Sequence, residues 1–314
     1  MPVGDAVIPL FSLIILGFVA GKVGWIDGLG LKALVAFIFN VAMPALLFRL
    51  VVVSDVAGLV DLRFILCHFS ALLAAALIGA LLGRVLLRQD APSLVIQGFG
   101  SSFPNSVLLG IPLMIALYGE RGALPVTMIF AFNVALYSLV TVLLEVTGKG
   151  KGGLQPLAIA GTTLRAITGN PLILAAIFGV VVGTLGFSLA PVLDKTLGFI
   201  GQAGPPTALF ALGASLGVRE VAFDMRGPLG AAGLMTFTKL AVHPLLAWVL
   251  AVPVLGLDPF LAATAVIMAA LPVGANVYIF AQHYDVAVPE ASSAILISTG
   301  ISMISIPVLL LFII

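Results

Sequence analysis

The fold of this chain is decided by residues 98–119, which read GFGSSFPNSVLLGIPLMIALYG. The flanks of this stretch are apolar enough for a bilayer, but Pro104 and Pro112 each lack a backbone donor and clash with the preceding helical turn. Three glycines weaken a helix further. Polar side chains lie beside the break, namely Ser101, Ser102, Asn105 and Ser106. We therefore expect a transmembrane helix that is interrupted near Pro104 and Pro112.

An interrupted helix at membrane depth leaves backbone groups that must find partners. It is tolerated only where it is buried in protein or lines a polar cavity, and transporters hold substrates and ions in such cavities. Residues 271–284, LPVGANVYIFAQHY, repeat the design, with a break expected at Pro272 and Asn276 just beyond it. Two such breaks predict a binding site near the middle of the membrane.

The composition is typical of a polytopic all-α membrane protein. The 314 residues are 61% hydrophobic and 9% charged, with a mean hydropathy of +1.27, whereas soluble domains carry about 25% charged residues. The net charge of +1 argues against a nucleic-acid partner, and the single cysteine, Cys67, excludes an internal disulfide. Within the predicted spans we find no acidic cluster, and we expect neither a metal nor a cofactor.

Ten transmembrane spans are predicted, since each needs roughly 20 apolar residues. They cover 5–24, 33–53, 64–87, 91–118, 124–146, 170–187, 191–217, 228–252, 259–284 and 289–314. Residues 155–168 read as a short amphipathic segment on the membrane surface.

The lysines and arginines of the loops indicate the orientation, because cytoplasmic loops carry the excess of them. With the N-terminus outside, the inside loops hold Lys22, Lys32, Arg84, Arg88, Lys149, Lys151, Arg165, Arg219 and Arg226, and the outside loops hold Arg49, Arg63, Arg121 and Lys195. This asymmetry predicts a multi-pass protein of the cell (inner) membrane with both termini outside the cytoplasm.

An internal repeat divides the ten spans into two groups of five. A constant offset of 162 residues relates Pro9, Leu10, Gly17, Gly21, Gly24, Pro44, Leu47 and Phe48 to Pro171, Leu172, Gly179, Gly183, Gly186, Pro206, Leu209 and Phe210. Because five spans per repeat is an odd number, the two repeats must have opposite topology. Spans four and nine are then equivalent, and their breaks are expected to meet near the midplane as discontinuous, crossed helices.

Four motifs in register resemble signatures of the auxin efflux carrier family, which includes the plant PIN-type auxin exporters and shorter bacterial relatives. They are PNSVLLGIP at 104–112, VAMPALLF at 41–48, PPTALFALGASL at 205–216 and PVGANVYIFAQHY at 272–284. The resemblance covers essentially the whole chain. It implies transport of small organic anions, such as auxin-like or malonate-like carboxylates.

The resemblance also implies a ten-helix fold shared with the bile-acid sodium symporters, within one transporter unit of 1–314. In that fold spans 1, 2, 6 and 7 form a scaffold (1–58 and 170–220). Spans 3–5 and 8–10 form a moving transport domain (59–150 and 221–314), as in an elevator mechanism. A homodimer through the scaffold is expected, partly from the same resemblance.

Amide and hydroxyl side chains near the breaks are the candidate substrate ligands. Asn105 and Asn276 can donate to a carboxylate, although each could instead satisfy freed backbone groups. Ser101, Ser102 and Ser106 are better suited to be backbone partners than ligands. On span five, Asn133, Tyr137 and Thr141 form a polar stripe at spacings of four, and Asn133 could line the site. The serine stripe of span ten (298, 302 and 305) is explained by helix packing.

Lys239 is the one basic residue within a span, and His243 follows one turn later. An ionisable group inside the membrane is a functional hypothesis by default. Lys239 could supply fixed positive charge in place of a coupling cation, or it could exchange a proton. His68 lies at a similar place in span three, and both histidines could carry protons or serve only in packing.

Three rival functions remain at this point. A sodium-coupled symporter of the bile-acid type is the nearest, and a passive channel is the second. The third is an intramembrane serine hydrolase, because Gly213-Ala-Ser215-Leu-Gly217 matches G-x-S-x-G and His243 lies in the next span. That motif requires a strand–turn–helix context, whereas here it lies in an apolar helix.

Overall fold

The computed structural model describes residues 3–53, 61–149, 168–218 and 229–313, and within these ranges the chain is helical and has no β-strand. The helices are α1 (Val3–Lys22), α2 (Gly28–Val53), α3 (Leu62–Leu87), α4a (Ala91–Ser102), α4b (Ser106–Tyr118), α5 (Ala123–Leu144), α6 (Pro171–Thr184), α7a (Pro191–Gln202), α7b (Gly204–Gly217), α8 (Leu229–Val254), α9a (Pro259–Ala270), α9b (Ala275–Tyr284) and α10 (Val288–Ile313). Residues 155–167 of the predicted surface segment lie outside the described residues.

Within the described ranges, four helices are long and apolar enough to cross a membrane: α2, α3, α8 and α10, each of 26 residues. At 1.5 Å per residue each measures about 39 Å, which exceeds the roughly 30 Å of a bilayer's hydrocarbon core. The prediction of an all-α polytopic membrane protein is confirmed to this extent.

Two local features differ from the sequence predictions. Pro112 does not interrupt its helix, because the chain is helical throughout Ser106–Tyr118. A π turn at Ser106–Gly110 precedes Pro112, and the proline then occupies the first turn of the following α-helical stretch, where no N–H is needed. The predicted span 191–217 is two helices, α7a and α7b, separated at Ala203, and α7b begins with Pro205 and Pro206 in its first turn.

The chain divides into two compact units. The first comprises Met1–Asp61, Val107–Val134 and Leu164–Ala222, and the second comprises Leu62–Ser106, Ala135–Thr163 and Phe223–Ile314. Val107–Val134, which includes most of α4b, thus belongs to the first unit, whereas the expected scaffold excludes it.

The first unit is held together by helix pairs that approach closely at glycines. A Cβ added at Gly17 of α1 would overlap the carbonyl of Phe210 on α7b. A Cβ added at Gly179 of α6 would lie 2.8 Å from Cβ of Val51 and 3.2 Å from the carbonyl oxygen of Phe48, both on α2. Both the glycines and the phenylalanines of these contacts are 162 residues apart.

The turns after α1 and α6 are equivalent in the same way. Gly24 and Gly186, also 162 residues apart, both have positive φ angles, of 83° and 72°. Non-glycine residues rarely adopt this conformation. Glycine is therefore needed at Gly24 and Gly186 for the backbone angle, whereas at Gly17 and Gly179 it is needed for close helix packing.

Arg49, near the end of α2, joins three elements of the first unit. Its Nε donates to Oδ1 of Asp194 on α7a at 2.7 Å, and its Nη1 donates to Oε1 of Glu120 at 2.9 Å, between α4b and α5. These groups are partly exposed, so each pair contributes little stability alone. The network links the α4b–α5 connection to α2 and α7a.

The second unit has a close helix contact of its own. A Cβ added at Gly98 of α4a would lie 2.8 Å from the carbonyl oxygen of Ala76 on α3, and Gly79 of α3 faces Ser101 of α4a without room for a Cβ. This contact positions α4a, and hence the break that follows it.

The Gly17 contact generates a stability prediction. Gly17→Ala places a methyl group against the backbone of α7b, which cannot yield as a flexible side chain can. We expect a loss of about 1–3 kcal/mol, typical of overpacking, measured as a lower melting temperature in detergent by tryptophan fluorescence. The matched control is Gly233→Ala on α8, where a Cβ meets no atom within 4 Å, and this variant should melt at or above the wild-type temperature. Equal melting of the two variants would contradict the close packing of α1.

Candidate substrate site

The two interrupted helices are joined at their breaks, within the second unit. The chain leaves helical geometry after Ser102 and after Ala270, as the sequence predicts for Pro104 and Pro272. The N–H of Asn105 donates to the carbonyl oxygen of Pro272 at 2.9 Å, and the N–H of Gly274 donates to the carbonyl oxygen of Phe103 at 2.9 Å. These reciprocal bonds form an isolated antiparallel bridge between Pro104 and Val273, and they satisfy backbone groups that hydrocarbon could not.

Two further residues complete the pairing. The N–H of Val273 donates to Oγ of Ser298 on α10 at 3.0 Å, so this serine is a backbone partner of the break and not only a small packing residue. Gly274 is required by the close approach, because an added Cβ would lie 2.8 Å from the carbonyl oxygen of Pro104 and 2.7 Å from the ring of Phe103.

The three serines beside the first break face the protein itself. Oγ of Ser102 donates to the carbonyl oxygens of Gly98 and Phe99, at 3.0 and 3.3 Å. The N–H of Ser106 donates to the carbonyl oxygen of Pro104 at 2.9 Å. Ser101 is buried against α3. Oγ of Ser102 is thus bonded to backbone carbonyls of its own helix, whereas Oγ of Ser101 has no partner among the described residues.

Asn105 combines a fixed backbone with a side chain that has no partner within the described part of the chain. The N–H of Asn105 is used in the pairing with Pro272, and the residue as a whole is 6% exposed. The side-chain amide therefore retains two donors and an acceptor at a nearly buried position.

Asn276 lies in the first turn of α9b and is bonded to span five. Its Nδ2 donates to the hydroxyl of Tyr137, so the hydroxyl proton of Tyr137 remains able to donate. No side chain caps the start of α9b at Gly274 among the described residues. The first N–H groups of the helix, which have no intrahelical acceptor, carry its positive partial charge.

Aromatic rings surround this hydrogen bond. Tyr137 stacks on Phe280 with ring centroids 5.8 Å apart and contacts Phe103 at 5.4 Å, and Phe99 contacts Phe103 at 4.9 Å and Phe280 at 5.4 Å. These phenylalanines were not predicted as site residues from the sequence. Their spacing was the available signal, since Phe99 and Phe103 are one turn apart on one face and Phe280 follows Asn276 by one turn.

Asn133 lies one turn before Tyr137 on α5 but belongs to the first unit. It is 1% exposed, and neither atom of its amide has a hydrogen-bond partner among the described residues. A buried amide without partners is costly.

Three basic residues are buried in the second unit. Lys239 is in the π turn Thr238–Val242 of α8, His243 follows it, and His68 is on α3. All three side chains are at most 1% exposed, and each histidine interacts electrostatically with Lys239. Nζ of Lys239 donates to the carbonyl oxygen of Ala269, in the last turn of α9a.

Comparison with known proteins identifies the family of the chain. Residues 2–310 match the family described as "Membrane transport protein". The chain belongs to this family. The earlier resemblance to the auxin efflux carriers is thereby confirmed, and the chain is a membrane transporter rather than an enzyme.

Two relatives extend the comparison. The chain is 32% identical over 306 residues to a protein of Rhizobium meliloti (strain 1021) named "Putative malonate transporter", which covers 97% of this chain and 93% of the relative. It is 24% identical over 309 residues to an "Uncharacterized transporter" of Methanothermobacter thermautotrophicus, which covers 96% of each chain.

The serine of the G-x-S-x-G match is in a purely helical setting. Ser215 lies inside α7b, and its Oγ donates to the carbonyl oxygen of Leu212 at 2.7 Å. This is an ordinary bond between a helical serine and the preceding turn, not the exposed nucleophile of a strand-to-helix elbow.

The bond between Asn276 and Tyr137 can be measured by a double-mutant cycle. Tyr137→Phe and Asn276→Ala should each lower the free energy of unfolding by about 0.5–1.5 kcal/mol, since each leaves one polar partner unpaired. The double variant should lose clearly less than the two effects added together. The measurement is thermal unfolding of the four proteins in one detergent, and strict additivity would contradict the bond.

Proposed function

We propose that this transporter is a secondary-active carrier of small organic anions, that is, of carboxylates such as auxin-like or malonate-like acids. The anion binds where the breaks of α4 and α9 pair. The observation that carries the proposal is the reciprocal backbone pairing of Asn105 with Pro272 and of Gly274 with Phe103. This pairing fixes two helix interruptions against each other and leaves amide side chains beside them.

The chemistry of the site favours an anion. Bringing a carboxylate into hydrocarbon costs several kcal/mol unless fixed donors replace its water. The amide of Asn105, the hydroxyl of Tyr137 and the uncapped start of α9b are such donors. In this proposal Asn276 positions Tyr137.

The proposed movement is an elevator-type alternating access between two inverted repeats of five spans. The repeat is supported by the equivalent contacts of Gly17 and Gly179 and by the equivalent turns at Gly24 and Gly186. We assign the scaffold to 1–58 and 170–220 and the transport domain to 59–150 and 221–314. Val107–Val134 packs within the first unit, for example through the Arg49–Glu120 ion pair. In this proposal these contacts form at one end of the movement and break when the transport domain moves.

The size of the substrate is suggested by the relative named for malonate. A dicarboxylate needs two sets of donors, and the pairing provides them on both of its sides, at Asn105 and at the start of α9b. A sodium-coupled symporter of the bile-acid type is the second candidate, because carbonyls and serines at broken helices can also bind Na⁺.

The proposed setting is the cell (inner) membrane, with both termini outside the cytoplasm, on the evidence of the charge asymmetry of the loops. The proposed assembly is a homodimer through the scaffold. It is supported by Asn40, which is exposed halfway along α2, since a polar side chain at that depth is better covered by protein than by lipid.

Transport by Asn105 variants tests the proposed function. Asn105→Asp keeps the size of the side chain and adds a negative charge, so we expect it to abolish malonate uptake and counterflow in proteoliposomes. Asn105→Ala should weaken malonate binding by about 1–3 kcal/mol, as for a lost hydrogen bond to a charged group.

The matched control for this test is Asn170→Asp. Asn170 caps the start of α6, where its Oδ1 accepts from the N–H of Leu172 at 3.0 Å, and aspartate caps a helix equally well. This variant should transport as the wild type does. Wild-type malonate counterflow by folded Asn105→Asp would contradict the proposed site, and flux without saturation or counterflow in the wild type would indicate a channel.

The dimer is tested by mass measurement in native lipid. We expect the mass of two chains, and Asn40→Leu should shift the population toward one chain because the polar contact is lost. A wild-type protein of single-chain mass would contradict the assembly.

A further inference from the structure

The end of α9a is occupied by a cation from the protein itself. The helix α9a stops at Ala270, two residues before Pro272, so its last carbonyls have no partner within the helix. Nζ of Lys239, from α8, donates to one of them, the carbonyl oxygen of Ala269. A cation is favoured here because the C-terminal end of a helix carries negative partial charge.

Lys239 is buried without a carboxylate beside it among the described residues. The side chain is 0% exposed, and within the described residues it has no carboxylate partner, since the salt bridges there are those of Arg49. The titratable groups around it are His68 of α3 and His243 of its own helix. Nε2 of His68 and both ring nitrogens of His243 have no hydrogen-bond partner among the described residues.

Carriers with broken helices commonly bind a coupling cation at such a place. Unwound carbonyls and the C-terminal ends of half-helices coordinate Na⁺ or H⁺ beside the substrate. Here a tethered ammonium group already bonds a carbonyl of the half-helix that leads into the substrate site.

We infer that the ammonium group of Lys239 takes the place of a coupling sodium ion, so that this carrier binds its anion without sodium. The inference rests on the proposed function for the identity of the anion. It favours a fixed charge on the protein over the sodium-coupled symporter that is the second candidate function. Lys239 is in this account a positioning and charge-compensating residue that acts through the end of α9a and not by contact with the anion.

The anion arm of the test measures malonate binding by isothermal calorimetry in sodium chloride and in choline chloride. The wild type should bind equally in both salts. Lys239→Met, which keeps the length and removes the charge, should weaken binding at least tenfold in both. The matched control is Lys195→Met, the same change at an exposed position on α7a, and it should bind as the wild type does.

Chemical rescue separates charge from packing. Lys239→Ala lacks three methylenes and the ammonium group, which n-propylammonium chloride supplies. Malonate binding by this variant should recover with n-propylammonium but not with n-propanol at the same concentration. Recovery with both, or wild-type affinity in Lys239→Met, would overturn the inference.

The cation arm needs no anion. The melting temperature of the wild type should be the same in sodium chloride and choline chloride, and that of Lys239→Ala should rise with n-propylammonium chloride relative to n-propanol. Specific stabilisation of the wild type by sodium would overturn the inference whatever the substrate. Failure of the wild type to bind malonate, with the cation results as expected, would instead count against the proposed substrate alone.

Discussion

Two backbone hydrogen bonds, from Asn105 to Pro272 and from Gly274 to Phe103, are the constraint on which the rest of this structure depends. Each proline ends a helix without needing an N–H of its own. Pro272 contributes its carbonyl oxygen to the pairing, and Pro104 contributes a bridge position. The groups left free are satisfied by the opposite break and by Ser298. An unpaired backbone group in hydrocarbon costs several kcal/mol, so neither interruption is sustainable without the other. Because Gly274 has no Cβ, the two chain segments at the breaks can approach each other closely.

The pairing also decides which chemistry the site can perform. It uses the N–H of Asn105 but leaves its side chain free, and it places the uncapped start of α9b next to the bond between Asn276 and Tyr137. In the proposed function, these neutral donors replace the water of an anion without adding a charge of their own. On the other side of the break, Nζ of Lys239 donates to the carbonyl oxygen of Ala269 near the end of α9a. The chain belongs to a family of membrane transporters, and a transporter needs a site that binds and releases its substrate.

The sequence was informative where a residue acts through its own backbone. Pro104 and Pro272 end helices whatever surrounds them, and Gly24 and Gly186 occupy turns that need positive φ angles, so these positions could be predicted. The outcome at Pro112 could not be predicted. A π turn before this proline accommodates it in a continuous helix, and local residue preferences do not reveal that turn. The partners of Ser298 and Lys239 depend on which helices are neighbours, and the same serine spacing also fits ordinary packing. The interruption at Ala203 was missed because the glycine and two prolines after it lie within an otherwise apolar run.

The central claim is that a carboxylate binds at the paired breaks. The most direct measurement is an electron cryo-microscopy structure of the protein with malonate in lipid nanodiscs. The account predicts density for the anion beside the side chain of Asn105 and the start of α9b, with the hydrogen bonds from Asn105 to Pro272 and from Gly274 to Phe103 intact. Malonate bound elsewhere, or breaks that are not paired, would contradict it.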